Sequence, residues 1–208
     1  MIYSFNVNAK ALEKAFSNQL YNFNQSNEAG INVYFEAVEN NLKDVASLNS
    51  VKQALETKNY KLAVPALEKA YNDTQLLLEN SFIASFDEGT PIVASGLPGN
   101  ISAGYQLERD PEVMENIKAS KEGKPHVGIA VKSPISGQIV IMITAPVKNA
   151  NGTVIGLVGM PFLVGKAMES FLKNVKIGST GYSFLLDRES TMVYHPNPKY
   201  LMKQLKGV

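Results

Sequence analysis

The chain has 208 residues, enough for one sizeable domain or two small ones with a full hydrophobic core. Its 20 basic and 19 acidic residues are spread along the chain and leave a formal charge of +1, so no basic stripe points to nucleic acid. There are no cysteines, which excludes disulfides, thiolate catalysis and zinc–thiolate sites, and no apolar run reaches the ~20 residues that cross a bilayer.

Met1-Ile2-Tyr3-Ser4 does not open a signal peptide, because no basic stretch and apolar run follow it. From about Ala9 to Glu56, apolar residues recur at alternating spacings of four and three: Phe16, Leu20, Phe23, then Ile31, Phe35, Val38, Leu42 and Val45. Asn27 fills the intervening position. That pattern is one seam on a helix, and no proline interrupts it before Pro65. Unbroken, such a helix spans roughly 60–70 Å at 1.5 Å per residue, too long for the packing face of one small domain. Two readings are open: a core helix broken near Gly30, or a stalk that links domains or pairs with a copy of itself. A second helix is predicted over Leu62 to Leu78, with Pro65 in its first turn, where a missing N–H costs little.

An α/β body follows. Ser81 to Phe86 and Pro91 to Ser95 read as paired strands around Asp87-Glu88-Gly89-Thr90. After a Gly- and Ser-containing loop over 96–110, Pro111 to Glu122 reads as a short helix that Asp110 would cap and Gly123 would end. Gly128 to Met160 is a three-stranded meander with tight turns at Ser136-Gly137 and Asn151-Gly152. Gln138 to Val147 is almost continuously apolar, so this strand is expected to be covered on both faces. Five strands with a helix-and-loop insertion after the second follow the order of a PAS-like sensor sheet. Beyond it come a short helix from Gly165 to Val175, a turn at Gly178-Ser179-Thr180-Gly181, and a hairpin of Tyr182 to Asp187 with Thr191 to His195 around Arg188-Glu189-Ser190. Pro196 and Pro198 stop that strand, and Lys199 to Lys206 is helical at best.

GYSFLLDRESTMVYHPNPKYLMKQL resembles the G-Y-x-F-hydrophobic-hydrophobic-D…G-T…H-P opening of a Cache module, and SGQIVIMITAPVKNANGTVIGLVGM resembles the TG…AAPV…VG-V block of the same family. Behind a long helix, the order is similar to a double Cache extracytoplasmic sensor domain of chemotaxis receptors, sensor histidine kinases and cyclic-dinucleotide enzymes. The resemblance implies an α+β fold. In it a helical stalk and second helix (1–79) lead into a membrane-distal PAS-like antiparallel sheet module (80–164) and the start of an incomplete proximal one (165–208). It also implies a homodimer with transmembrane helices in segments outside these residues, and a small-molecule ligand (an organic acid, amino-acid-like solute or amine). Two departures stand out. Ser190-Thr191 replaces Gly-Thr, and RDPEVMENIKAS and Gly159-Met160-Pro161 lack the aromatic cluster and the aspartate of amino-acid binders.

No Gly-x-Ser-x-Gly elbow, Walker loop or His-Glu-x-x-His motif is present, and His126 and His195 fall in different regions, so recognition is expected and catalysis is not. No cofactor or metal is indicated. The candidate ligand contacts are Arg109 for a carboxylate, Tyr105 as ring wall and hydroxyl, His126 before the third strand, Lys132 and Thr144 on neighbouring strands, and Met160. Each has a bland counterpart: Arg109 between Glu108 and Asp110 as a solvated charge, Tyr105 as loop packing, His126 as a structural histidine. A free solute-binding protein and an interaction module are the rival function classes.

Overall fold

The computed structural model describes residues 2–74, 77–172 and 181–205, leaving aside the side chains of residues 2–13, 23, 27 and 170–172. Helix α1 runs unbroken over Ile2–Ser47, 46 residues, straight through Gly30. A glycine in a helix interior costs about 1 kcal/mol, too little to stop a helix that meets no proline. The break falls instead at Leu48, whose extended backbone (φ −63°, ψ 135°) separates α1 from α2, Asn49–Thr57. Helix α3 occupies Val64–Thr74, with Pro65 as its second residue. Its predicted last residue, Leu78, instead bridges Phe162 of the sheet.

The chain falls into two compact units, Met1–Ala37 and Val38–Val208. In the first, Phe16 is 49% exposed. In the second, the rest of the α1 seam (Val38, Leu42 and Val45) is buried.

The body of the second unit is one antiparallel sheet of β1 (Phe82–Ser85), β2 (Ile92–Ser95), β3 (His126–Lys132), β4 (Ile139–Lys148) and β5 (Val154–Leu163), in the spatial order β2-β1-β5-β4-β3. The last strand is therefore the middle one. Gly137 (φ +73°) and Gly152 (φ +81°) hold the two meander turns in the left-handed region. As its apolar run predicts, β4 is buried continuously from Val140 to Ala145. Alternation divides the sheet's side chains. Val158 and Met160 share a face with Ile83 and Ile143, while Leu157 and Gly159 share the other with Ala84, Phe82 and Thr144. Helices α2 and α3 cover the first face, α2 against β4 and β5 and α3 against β2. The second face is covered by the 96–113 loop and by α4, Met114–Lys121, which lies against β3 and β4.

Helix α5, Val164–Leu172, follows β5 directly. Its expected end at Val175 and the turn at Gly178-Ser179-Thr180 lie outside the described residues. Strands β6 (Leu185–Leu186) and β7 (Met192–Tyr194) form the expected hairpin. Ser190 sits at φ +63°, which accounts for glycine being usual there. The helix expected for Lys199 to Lys206 is absent from the described part of that segment. A 3-10 turn over Pro198–Tyr200 returns the chain along β7, where the Met192 N–H donates to Lys203 O (2.9 Å) and the Leu205 N–H to Ser190 O (2.9 Å). A hairpin alone is marginal, and this segment supplies the missing partner.

The β6–β7 turn also docks on the sheet edge. One oxygen of Asp187 accepts from the N–H groups of Glu189 (3.0 Å) and Thr191 (2.8 Å), and the other from the Ala130 N–H of β3 (3.3 Å). Arg188 donates to Glu115 on α4 at 2.6 Å and to Val127 O at 3.5 Å. Among the described residues no helix is long and apolar enough to cross a membrane.

Candidate ligand-binding site

Between the second face of the sheet and the 96–113 loop lies a cavity of about 40 Å³. Phe82, Ile92, Leu107, Val113 and Met142 make its apolar walls; Glu79, Asn80, Tyr105, Asp110 and Ser133 bring polar groups to it. A space that size holds two or three waters, whereas small-molecule sites run about 300–1,000 Å³. A solute of that size needs more room than the cavity gives, and the 96–113 loop is one of its walls. That loop carries Gly99 (φ +74°), Asn100 (φ +54°) and Gly104 (φ +90°).

Two carboxylates line the cavity, Glu79 and Asp110. Asp110 was expected to cap the helix at Pro111, but it makes no side-chain bond to the helix backbone. It accepts instead from the Tyr105 hydroxyl, at 3.0 Å and 2.9 Å to its two oxygens. Burial first, and then this bond to Asp110, push the Tyr105 phenol up to about 12, so at neutral pH it stays a donor. Glu79 is buried where the chain turns into β1, its N–H bonded to Pro161 O at 2.9 Å. Its carboxylate accepts from the hydroxyls of Ser133 (2.9 Å) and Ser136, on the β3–β4 turn. Beside it, Asn80 is held on both ends, donating to Ser102 Oγ (2.9 Å) and accepting from Ser95 Oγ (3.0 Å). A carboxylate offers about four lone-pair sites, so both acids retain capacity for a ligand. No lysine, arginine or histidine is among the described residues lining the cavity.

Of the six residues singled out from sequence, only Tyr105 reaches the cavity. Arg109 is exposed, its Nε donating to Gln106 Oε1 at 3.2 Å. Lys132 is exposed at the end of β3. His126 and Thr144 are brought together, but beneath α4. They are cross-strand partners, and the Asn116 amide donates to His126 O (3.2 Å), Met142 O (3.0 Å) and Thr144 Oγ1 (3.3 Å). Gly128 makes room for that amide, since a Cβ there would stand 2.5 Å from Asn116 Oδ1. The His126 Nε2 lies 3.6 Å from the Glu115 carboxylate. Met160 is fully buried and alternates onto the helix-covered face, away from the cavity. The sequence reading missed Glu79, Asn80, Asp110 and Ser133. The one legible sign was two polar residues, Glu79-Asn80, standing directly before an apolar strand.

A family model described as a Cache domain matches residues 8–207. Among curated proteins, the methyl-accepting chemotaxis protein McpA of Pseudomonas putida is 33% identical over 73 residues, covering 35% of this chain and 11% of that protein. Among solved structures, the ligand-binding domain of the Pseudomonas fluorescens chemoreceptor CtaA in complex with L-isoleucine superposes with a TM-score of 0.66 at 18% identity, over 95% of this chain and 75% of that one. The sensor domain of the Vibrio cholerae histidine kinase DctB superposes with a TM-score of 0.65 at 15% identity, over 92% and 72%. The extracellular ligand binding receptor from Desulfohalobium retbaense does so at 0.62 and 18% identity, over 86% of this chain but 31% of that one.

Proposed function

Because the chain belongs to the Cache domain family, we propose that it is the extracytoplasmic ligand-sensing domain of a bacterial transmembrane receptor, of the methyl-accepting chemotaxis type. Residues 80–164 are the membrane-distal binding module and 165–208 open a proximal one. The observation that carries the reading is the small cavity lined by Glu79 and Asp110, with no cationic side chain among the described residues that line it. Such a site suits a small solute with an ammonium group, an amine or an amino-acid-like compound, better than a free organic acid. The CtaA domain is solved with amino acids, which supports that class.

Signalling needs differential affinity for two arrangements, since tight binding alone transmits nothing. Here the cavity must widen for an occupant, displacing the loop that runs into α4. That helix carries Val113 of the cavity wall just before its start and Glu115, the partner of Arg188, in its first turn. Movement at the cavity is thus passed to the β6–β7 turn. A histidine kinase is the second reading for the parent protein, on the likeness to the DctB sensor domain.

The test is a thermal-shift screen of amines, amino acids, organic acids and purines, followed by calorimetric titration. A cationic solute should bind wild type, and Asp110→Asn should weaken it about 10- to 100-fold, as for a charge-assisted bond worth ~1.5–3 kcal/mol. If only organic acids bind and Asp110→Asn leaves them unaffected, the reading falls.

A further inference from the structure

Farther along β4 than the Tyr105–Asp110 cavity, which meets Val140 and Met142, a cleft of about 310 Å³ opens between the end of α1, the start of α2 and the last residues of β4. That volume falls at the lower edge of the range for small-molecule sites, about 300–1,000 Å³. Its floor is apolar, made by Ala46, Pro125, Ala145 and Pro146, and three lysines line it, Lys43, Lys52 and Lys148. None of the described lining residues is acidic. Lys43 shares its charge with Glu39, 3.5 Å away on the same helix. Lys52 and Lys148 form no ion pair with any described residue. The end of α1 at Ser47 and the uncapped start of α2 at Asn49 bring opposite helix-end potentials to the cleft, so its charge preference rests on the lysines. Three like charges around one concavity repel one another, and an anion with more than one charge relieves all of them together.

We propose that this cleft is a second binding site, for a small organic polyanion: two or more carboxylate or phosphate charges on a short carbon skeleton that lies on the alanine and proline floor. It is separate from the amine site and of opposite charge preference. The two are nevertheless adjacent along one strand, since Thr144 faces Asn116 under α4 and Ala145, the next residue, lines the cleft.

The test is amide-resolved NMR titration of this 208-residue chain with citrate and with glycerol 3-phosphate at fixed ionic strength, acetate serving as the singly charged control. Saturable shifts are expected at Lys52, Ala145 and Lys148, with acetate giving none. The double substitution Lys52→Gln and Lys148→Gln should weaken binding about tenfold, as for two partly exposed charge contacts. Lys148→Arg should retain it, and Asp110→Asn should leave it unchanged. Citrate alone binding narrows the class to carboxylates, and glycerol 3-phosphate alone to phosphates. Should the double variant fail to fold, Lys148→Gln read against Lys148→Arg carries the same comparison. Shifts that never saturate, that survive loss of the lysine charges, or that vanish in Asp110→Asn overturn the proposal. None of these outcomes bears on whether an amine binds the other cavity.

Discussion

At Gly159 the sheet and the cavity compete for the same space, because a Cβ there would lie 2.3 Å from the ring of Phe82. Gly159→Ala should therefore destabilise the fold by about 1–3 kcal/mol, the usual cost of overpacking, measurable by denaturant titration. An unchanged midpoint would mean that Phe82 has somewhere else to go. Glu108 gives a pH-dependent counterpart. The Thr90 hydroxyl, 2.7 Å away, chiefly holds its carboxyl below the ordinary range, with Lys121 at 3.5 Å assisting against the opposing effect of desolvation. A carboxyl whose pKa is lowered on folding adds stability above its unfolded value of 4.5, and that stability is lost as pH falls through the lower folded value. Melting temperature should thus fall below about pH 4.5, and Glu108→Gln should make that fall shallower; equal slopes would remove Glu108 from the account. Single residues are also where the sequence was least informative about the site. Asp110 stands just before a proline and reads as a cap, and only the placement of Tyr105 across a loop turns it toward the cavity. Glu79 reads as the end of a helix until Ser133 and Ser136, more than fifty positions away, close on it.

Helix α1 joins two different environments along one periodic seam. Leu42, at 0% exposure, is core, while Phe16 on the same seam is 49% exposed. The periodicity is identical in both halves, so the sequence alone shows one stripe and not two functions. A stalk pairing with a second copy must then use the part before Val38, because Val38, Leu42 and Val45 are spent on the protomer's own interior. Leu42→Ala should cost about 2–5 kcal/mol in thermal or denaturant unfolding. Phe16→Ala should leave the unfolding midpoint alone and weaken self-association in analytical ultracentrifugation; the reverse pattern would refute this division. The strands were far easier to read. Gly137 and Gly152 marked turns that only residues tolerating positive φ can make, and β1, β2 and β4 fell within a residue or two of their predicted limits. The tail after Pro198 was misread, since its partner is the edge of β7 and not its own next turn.

Across the whole second unit, the β6–β7 turn is one link between the two sheet regions, beside the packing of α5 on β4 and β7. The Arg188–Glu115 pair is 49% and 70% exposed and is worth about 1 kcal/mol or less, whereas Asp187 ties its own turn and the amide of Ala130 with one carboxylate. Asp187→Ala should speed hydrogen exchange about tenfold at Ala130 as well as at Thr191, given ~1.5 kcal/mol or more for a bond to a charged group. Faster exchange at Thr191 alone would show that the link carries nothing between the regions. The strand order has a different consequence, one for synthesis. Phe82 at the front of the sheet pairs with Gly159 near its end, and β5 is what joins the β1–β2 hairpin to β3–β4. While the ribosome is still short of residues 154–163, the nascent polypeptide holds two half-built ribbons with bare flanks and nothing to zip them together. High contact order of this kind slows folding, and bare strand flanks invite aggregation. A chaperone that shields this polypeptide should therefore release it only after β5 has left the exit tunnel.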